Sequence, residues 1–158
     1  MVTRLRPLRD DEVPEFLDGL REEYVRGLME DAGLSRGNAE EKAASDHEAL
    51  FPHGKPQPDQ HMYAVERETG EPVGHVFWAR RSAPGSGPRA FLYQIFISEP
   101  FRGRGHGREA MQLLEEEVRS AGLPGIDLNV WGGNDPARAL YRKLGYGEQA
   151  VFMTKDLP

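Results

Sequence analysis

The first sixty residues show the hydrophobic pattern of one short strand followed by two helices. Residues 3–8 are suited to a strand, and the apolar positions that follow recur at helical spacing, with Asp10 or Asp11 as the predicted helix cap. Those apolar positions are Val13, Phe16, Leu17, Leu20, Tyr24 and Leu28. A second and much more polar helix is predicted over residues 38–50, and residues 51–60, which contain three prolines, are typical of a connecting loop.

The pattern then changes to short apolar runs that are typical of strands. Residues 62–66 and 73–79 flank the sequence RETGEP, which predicts a hairpin turn between two strands. After a second break, residues 90–97 form an apolar and aromatic run that is suited to a central strand. These runs predict a sheet of neighbouring strands in the middle of the chain.

Helices and strands alternate in the last third of the chain. Helical spacing predicts a helix that ends at Gly122, and residues 126–131 predict a strand. A further helix follows, with Asp135 as its cap and Pro136 at its first position. Residues 149–155 are expected to form the last strand. The order of elements predicts a mixed α+β sheet rather than a regular doubly wound one.

Length and composition narrow the possible functions. The 158 residues predict one domain, 1–158, and the 20 basic against 26 acidic residues give a net charge of −6. That sign argues against a nucleic-acid or anionic-membrane binder. The absence of cysteine excludes disulfides and a thiolate nucleophile, and the histidines show no spacing typical of metal ligands, so no metal is expected. No signal-like or membrane-spanning apolar run is present, which predicts a soluble cytoplasmic protein.

Three glycines and three arginines fall within the seven residues from Arg102 to Arg108, directly after the predicted central strand. Glycine lets the backbone turn tightly, and the start of the following helix presents unpaired N–H groups to an anion. Arg102, Arg104 and Arg108 add forked donors that match phosphate oxygens. The stretch therefore predicts a pyrophosphate cradle, with a flexible turn carrying solvated arginines as the simpler alternative.

A dinucleotide fingerprint is a competing interpretation of the same residues. Gly105, Gly107 and Ala110 satisfy G-x-G-x-x-A, and Asp127 lies about where an acid that binds the ribose is expected. However, the motif stands in the second half of the chain, after hairpin strands, and Asp127 begins its strand instead of ending it. A dinucleotide-binding oxidoreductase is therefore the second choice.

Two sequence motifs stand in the second half of the chain. The first, [QR]-x-x-G-x-[GA], is filled by Arg102, Gly105 and Gly107. The second, N-x-x-A-x-x-L-Y-x-x-x-G-[FY], is filled by Asn134, Ala137, Leu140, Tyr141, Gly145 and Tyr146. They resemble the phosphate motif and a second signature of the GNAT superfamily of acetyl-CoA-dependent N-acetyltransferases. Either motif alone is moderately specific, and together they are specific. The resemblance covers residue 60 to the C-terminus well and the first two helices only in outline.

The resemblance implies a GNAT-like α+β fold with a splayed, mostly antiparallel sheet of six to seven strands and about four helices. It implies that acetyl-CoA enters where residues 93–97 part from residues 126–131. The strand backbone would pair with pantetheine, the loop would hold the pyrophosphate, and Asn134 would bond the pantetheine amides. The implied donor-binding residues are Ile95, Phe96, Ile97, Arg102, Gly103, Arg104, Gly105, His106, Gly107, Arg108, Asn134, Ala137 and Arg138.

Acyl transfer to an amine needs a donor to the oxyanion, an acid for the leaving sulfur and a group that removes the amine proton. By resemblance, Tyr141 is the acid, although its place on an apolar helical stripe is also consistent with packing alone. The oxyanion donor is expected in the main chain near Phe96 or Ile97, where the family has a bulge.

The proton acceptor is not evident from the sequence. Asn129 stands where relatives that acetylate protein N-termini often carry a glutamate, and the predicted central strand contains no acid. We therefore expect a water relay that touches Asn129, Tyr93 or Gln94 in place of a carboxylate base, with no base at all as the alternative if the amine arrives already neutral.

The resemblance places the amine acceptor beside residues 1–55, opposite a donor-binding core of residues 60–158. The first two helices are rich in acids, which would suit a cationic amine, but charge on an exposed helix face is ordinary. The expected partners are acetyl-CoA and a small-molecule or peptide amine, in a monomer or homodimer. The alternatives are an NAD(P)-binding oxidoreductase and a non-catalytic coenzyme A-binding protein.

Overall fold

Five strands form one open sheet in which they stand in chain order, β1-β2-β3-β4-β5. Their bounds are β1 (Val2–Pro7), β2 (Gln60–Arg67), β3 (Pro72–Arg81), β4 (Arg89–Ile97) and β5 (Ile126–Leu128). The first three pairings are antiparallel, and β4 pairs with β5 in parallel. This computed structural model describes the backbone of residues 1–158 and every side chain except those of Val2 and Thr3.

Four α-helices flank the sheet, as expected. They are α1 (Val13–Glu30), α2 (Arg36–Leu50), α3 (His106–Ser120) and α4 (Asp135–Lys143). Short 3-10 turns occur at Asp10–Glu12, Pro52–Gly54 and Glu99–Phe101. The predicted α+β class is confirmed. The expected six to seven strands are wrong, since the sheet has five.

The missing strand is the one predicted for residues 149–155. Val151, Phe152 and Met153 are 68%, 93% and 85% exposed and have no assigned strand conformation. A strand needs a neighbouring ladder of comparable length, and β5 offers only three residues. Just before this segment, Glu148 is held on α4 by Arg138, at 2.7 Å.

Two helices begin at residues other than those predicted. Asp10 and Asp11 lie in the 3-10 turn before α1, so neither is its cap, and that position belongs to Glu12. The cap of α4 is Asn134 instead of Asp135, because the Asn134 side-chain oxygen accepts the Ala137 N–H at 3.3 Å.

Each face of the sheet buries its own apolar cluster. The cluster beneath α3 includes Trp78, Leu92, Met111, Leu114 and Val118, with Leu140 and Tyr141 of α4 packed against its edge. The cluster beneath α1 consists of Phe16, Leu17, Phe51, Met62 and Phe77. A third cluster, built around Leu28, Ala39 and Ala43, joins α1 to α2. The sheet is therefore fixed from both sides, and β4 lies between the two sets of helices.

Candidate active site

The sheet divides between β4 and β5. The two strands pair over three positions, from Ala90 with Ile126 to Leu92 with Leu128. Beyond these pairs β4 continues to Ile97, whereas the chain after β5 leaves the sheet. The division opens a cleft of about 2720 Å³ that is lined by residues of all four helices. The expected parting of these two strands is confirmed.

A bulge in β4 lies where the strands part. Phe77 of β3 faces Gln94, yet the next β3 residue, Trp78, faces Leu92, so Tyr93 is the extra residue. The Tyr93 ring stacks on Phe77 with centroids 4.9 Å apart, on the face that α1 covers. The bulge therefore directs the side chains of two successive residues, Tyr93 and Gln94, to the same side of the cleft.

The bulge lies earlier than the sequence analysis placed it. Phe96 faces His75 and Ile97 faces Gly74 in regular register, so no residue is inserted near them. The expectation of a bulge near Phe96 or Ile97 is wrong. The main-chain N–H groups that the bulge frees from the β3 ladder belong to the segment around Tyr93.

The bulge also decides which backbone groups face the cleft. Ser98 N–H bonds to Val73 O at 2.9 Å, so alternation along the antiparallel pair directs residues 96 and 94 toward β3. The same alternation directs the backbone groups of Ile95 and Ile97 toward the open edge. The edge is thus free to pair at Ile95, while the Ile97 carbonyl already accepts Arg102 Nε at 2.8 Å.

Gly74 fixes the approach of β3 to this edge. A Cβ on Gly74 would lie 2.0 Å from the Phe96 carbonyl oxygen. Because that oxygen belongs to the backbone, no side-chain rotation could relieve the clash. The close approach of the two strands therefore requires glycine at this position.

The glycine–arginine stretch forms a turn that ends at the start of α3. Gly103 and Gly105 have φ of +72° and +85°, the left-handed region that other residues rarely adopt. The first helical bond joins Glu109 N–H to Gly105 O at 3.1 Å, and the N-cap residue Gly105 has no side chain with which to cap the helix. The N–H groups of residues 106–108 therefore have no acceptor within the helix and lie at its positive end.

The three arginines of this stretch do not act alike. Arg102 donates to the end of β4, and its guanidinium lies 5.4 Å from the Phe96 ring centroid, so it holds the turn against the strand. Arg104 and Arg108 are exposed, and among the described residues neither has an ion-pair partner. These two side chains supply the uncompensated positive charge of the turn.

His106 and Gly107 lie beneath the turn. The His106 side chain is buried, and its Nδ1 lies 3.7 Å from a Glu109 carboxylate oxygen. A Cβ on Gly107 would lie 3.6 Å from Leu140 and 3.9 Å from Ile97. Gly107 is thus where the turn, β4 and α4 meet.

The predicted donor-binding residues of α4 lie on the same cleft. The Asn134 side-chain oxygen serves the cap, which leaves its amide N–H groups as the donors available to a ligand. Arg138 donates to Gly132 O at 2.7 Å and to Glu148, also at 2.7 Å. Its guanidinium therefore holds the loop before α4 and the chain after it, and Ala137 lies beside it in the cleft lining.

Tyr141 is half-buried in the cleft. Its ring lies 5.7 Å from that of Tyr146, and burial raises the pKa of its phenol above the usual value of 10. Among the described residues the Tyr141 hydroxyl has no hydrogen-bond partner. At neutral pH the group is therefore protonated and able to donate toward the cleft.

Asn129 follows the last residue of β5 and is exposed in the cleft lining. Tyr93 and Gln94 line the same cleft from the other branch of the sheet. The structure thus brings all three residues of the predicted water relay to one space.

The α1–α2 wall of the cleft contains residues that the sequence analysis did not single out for a role. The indole Nε1 of Trp131 lies 3.5 Å from where a Cβ on Gly27 would stand, so the chain after β5 touches α1. The Tyr24 hydroxyl donates to Asp46 at 2.6 Å. Burial, with a smaller effect from Arg21, lowers the pKa of His47, so this imidazole is neutral at pH 7. No spacing in the sequence distinguishes these side chains from ordinary packing.

The structure argues against the dinucleotide interpretation. Arg89 Nε donates to both oxygens of Asp127 at 3.0 Å, so the acid expected on a ribose is engaged by a neighbouring strand. The strands that precede the motif are antiparallel, whereas the dinucleotide fold is built from parallel β-α-β units.

The described residues contain no group of three or more histidine, aspartate or glutamate side chains that could hold a metal ion. None of their helices combines the length and the hydropathy that a membrane crossing requires.

Comparison with known proteins identifies a family. Residues 18–146 match the model of the acetyltransferase (GNAT) family. The Bacillus subtilis (strain 168) protein named "Uncharacterized N-acetyltransferase YycN" is 26% identical over 157 residues, which span 99% of this chain and 100% of that protein.

Solved structures show the same fold. The crystal structure of YycN from Bacillus subtilis superposes with a TM-score of 0.89 at 25% identity, over 100% of this chain and 99% of that one. AAC(6')-Iy, in complex with the bisubstrate analog CoA-S-monomethyl-acetylneamine, has a TM-score of 0.62 at 18% identity, over 98% of each chain. The second likeness concerns the fold alone.

Proposed function

This chain belongs to the acetyltransferase (GNAT) family and is an N-acetyltransferase, and from that premise we propose how its cleft is used. Acetyl-CoA lies along the open edge of β4 with its pyrophosphate on the turn before α3. A primary amine of a small molecule or peptide enters from the α1–α2 side and attacks the acetyl carbon directly, with both molecules bound.

The turn before α3 fits a pyrophosphate. Gly103 and Gly105 leave the backbone open, since a Cβ on either would meet no atom within 4 Å. The N–H groups of residues 106–108 provide donors, and Arg104 and Arg108 provide charge. The dipole alone contributes about 0.3–1 kcal/mol at an exposed terminus, so the two arginines supply most of the attraction.

The edge of β4 fits an extended arm that carries amide groups. Ile95 presents its backbone N–H and C=O to the cleft and can pair with such an arm as with an added strand. The Ile97 N–H contributes a further donor, while its carbonyl is committed to Arg102. From the opposite wall, the Asn134 amide N–H groups reach the same space.

The proposal rests on the proximity of the α3 start, the β4 edge and α4 at Gly107. A Cβ on this residue would lie within van der Waals contact of Ile97 and Leu140, so the helix start, the strand edge and α4 come together here. An arm that extends from the turn therefore runs along β4 toward the bulge. The bulge is where the reacting group would lie.

The chain supplies donors and protons at the bulge. When bound, acetyl-CoA provides an acyl group activated as a thioester, and the amine nitrogen forms the C–N bond as the C–S bond breaks. Main-chain N–H groups around Tyr93 donate to the carbonyl oxygen as it gains charge. Tyr141 donates a proton toward the departing sulfur, because its raised pKa keeps it protonated.

The amine must lose a proton, and no carboxylate is placed on β4 to take it. Tyr93 and Gln94 at the bulge and Asn129 in the same cleft lining are polar, and none of them is a strong base. We assign them to a chain of hydrogen bonds that passes the proton to water, in which Asn129 faces Tyr93 and Gln94 across the division of the sheet.

Two measurements test the proposed function. In a thermal-shift assay, acetyl-CoA is expected to stabilise the protein and NAD(P) is not. Free thiol is then measured with a panel of primary amines, and the absence of cysteine keeps the background low. Thiol release that depends on both acetyl-CoA and an amine supports the proposal. Stabilisation by acetyl-CoA without thiol release from any amine would indicate a non-catalytic binder.

A matched pair of variants locates the binding. Gly105→Ala forces a side chain into the left-handed region and is expected to weaken acetyl-CoA binding. Gly19→Ala, in α1, introduces a methyl group into equally empty space without a positive φ and serves as the control. Equal affinity for acetyl-CoA in the two variants would place the pyrophosphate elsewhere.

A further inference from the structure

Two arginines stand directly opposite each other at the loop end of the β3–β4 hairpin, where residues 82–88 join the two strands. Arg81 of β3 pairs in register with Arg89 of β4, so both side chains leave the same face of the sheet. Like charges at such positions repel and destabilise the pairing. The two positive charges therefore require negative partners on this face, which is the face that α1 covers and from which the acceptor is proposed to enter.

Compensation is complete for Arg89 and absent for Arg81. Arg89 is bound by both oxygens of Asp127, and a Cβ on Gly125 would lie 2.2 Å from its guanidinium, so the side chain is confined. Among the described residues Arg81 has no acidic partner. Its guanidinium carbon instead lies 4.2 Å from the Phe91 ring centroid. Stacking fixes the position of this cation and leaves its N–H donors unused.

A line of aromatic rings connects this cation to the bulge. Phe91 lies edge-on to Tyr93 at 4.8 Å, and Tyr93 is the bulged residue. The Arg81 guanidinium carbon lies 5.9 Å from the Tyr93 ring centroid. The Arg81 guanidinium is therefore within reach of a small molecule whose amine lies at the bulge. Such a molecule would need to span about 7 Å, the length of two extended residues.

A pocket of about 210 Å³ lies beside the two arginines. Its lining includes Arg81, Ser82, Ser86, Arg89, Phe91 and Asp127. This volume exceeds the roughly 30 Å³ that a water molecule occupies in the liquid and leaves room for a carboxylate or a phosphate with its hydration. The serine hydroxyls can donate further hydrogen bonds to such a group.

The C-terminal end of α1, which lines the same cleft, is negative. Glu30 and Asp31 stand at the C-terminal end of α1, where the helix dipole adds to their charge, and both line the cleft. No cation pairs with either of them among the described residues. The acceptor side of the cleft thus has an acidic wall on α1 and a basic corner on the hairpin.

We propose that Arg81 binds an anionic group of the acceptor, so that the preferred substrate is an amine that also carries a carboxylate or phosphate. This inference rests on the proposed function, since it concerns the acceptor of the same reaction. The acidic wall attracts the ammonium form of the amine, and Arg81 binds the anion beyond it. A polyamine, which carries only positive charge, has no group for Arg81 and is disfavoured.

Matched acceptors test the selectivity. Pairs of amines are compared that differ only in a carboxylate against its carboxamide, or in a phosphate against a hydroxyl. We expect kcat/KM for the anionic member to exceed that of the neutral member by at least about tenfold, the equivalent of about 1.4 kcal/mol. The two series distinguish a carboxylate from a phosphate. Equal values within every pair would overturn the inference even if all the amines were acetylated.

Variants test whether Arg81 is the residue that causes the selectivity. Arg81→Gln is expected to lower the ratio within each pair by about tenfold, and Arg81→Lys to retain part of it. Arg80→Gln removes a neighbouring arginine that points to the other face of β3 and is expected to keep the wild-type ratio. A ratio that Arg81→Gln leaves unchanged, or that Arg80→Gln lowers equally, contradicts the proposal.

A binding measurement separates this inference from the proposed function. The anionic members are titrated by calorimetry against the wild type and Arg81→Gln loaded with coenzyme A, which has no acetyl group to transfer, so that binding is measured without turnover. Weaker binding to Arg81→Gln supports the Arg81 site even if no thiol is released, an outcome that would reject the proposed reaction alone. Equal binding to the two proteins overturns the Arg81 site even if acetyl transfer occurs.

Discussion

Tyr141 shows how one side chain can be consistent with two roles. Its position on the apolar stripe of α4 explains its packing against the core beneath α3, and the same position directs its hydroxyl to the cleft. Burial keeps the phenol protonated, which suits a donor to sulfur. The two roles differ in what the loss of the hydroxyl alone would do.

We expect Tyr141→Phe to lower kcat by about 10²–10⁴-fold while the dissociation constant of acetyl-CoA stays near its wild-type value, because the ring is kept and only the proton is lost. Initial rates and calorimetry measure the two quantities. Tyr146→Phe, which removes a hydroxyl that contacts Glu115 at 3.4 Å, is the control. If both variants lose activity alike, the tyrosines serve packing and not proton transfer.

Sequence and structure agree on which residues form the turn before α3 but differ on how one of them is used. The motif predicts Gly105 because its left-handed backbone conformation needs glycine, and such a need is local in the chain. Arg102 belongs to the same motif, yet its Nε donates to the Ile97 carbonyl. The Ile97 carbonyl is free to accept this bond only because β5 has left β4 before Ile97. No local sequence pattern shows where two strands part.

At the level of elements, α4 is fixed at its start by Asn134. The side-chain oxygen of Asn134 caps the helix, and the N–H groups of the same amide remain for a ligand. Cap and ligand therefore depend on different atoms of the same residue, which allows them to be separated by substitution.

Asn134→Ala is expected to reduce the free energy of unfolding by about 0.5–2 kcal/mol and also to weaken acetyl-CoA binding, since both functions are lost. Asn134→Asp keeps an oxygen for the cap but has no N–H donor, so we expect it to retain stability and to bind acetyl-CoA less well. Thermal unfolding and calorimetry provide the readouts. Wild-type affinity in Asn134→Asp would exclude the amide as a donor to the ligand.

The elements also show where periodicity fails as a predictor. The strand over residues 90–97 is predicted from its apolar run, but the extra residue at Tyr93 leaves the run unbroken and cannot be seen in it. Residues 149–155 have a composition suited to a strand and form none, because a strand needs a partner and β5 provides three residues. In both places the outcome depends on the neighbouring strand and not on the segment itself.

At the scale of the whole molecule, an ionic network joins the first strand to the rest of the sheet. Glu66 of β2 is 4% exposed and accepts from Arg4 at 2.7 Å and from Arg6 at 2.6 Å. Arg6 also donates to Glu12, next to the start of α1. The hydrogen bond from Arg6 lowers the pKa of Glu66 below its usual value of 4.5, and that of Glu12 to about 2.

This network predicts how stability varies with pH. Carboxylates whose pKa is lower in the folded state contribute stability above their unfolded value of about 4.5, and lose it as the pH falls through their folded values. We therefore expect the melting temperature to fall between about pH 4.5 and pH 2. Glu66→Gln is expected to cost about 1.5–3 kcal/mol at neutral pH and to make the acid decline shallower.

Thermal unfolding across this pH range tests the expectation. Glu40→Gln, which breaks an exposed pair with Arg36 at 3.3 Å, is the control and is expected to change stability by no more than about 0.5 kcal/mol. An acid decline of the same steepness in wild type and Glu66→Gln would assign the pH dependence to other carboxylates.

The divided sheet has a consequence for the order of events in the proposed reaction. The gap between β4 and β5 is bordered by α3 and α4 on one face and by α1 and α2 on the other, so in the proposed reaction donor and acceptor would enter from opposite faces. Neither has to leave before the other arrives, and neither product blocks the exit of the other. The fold thus imposes no sequence of arrival or departure, and any such sequence must come from affinity alone.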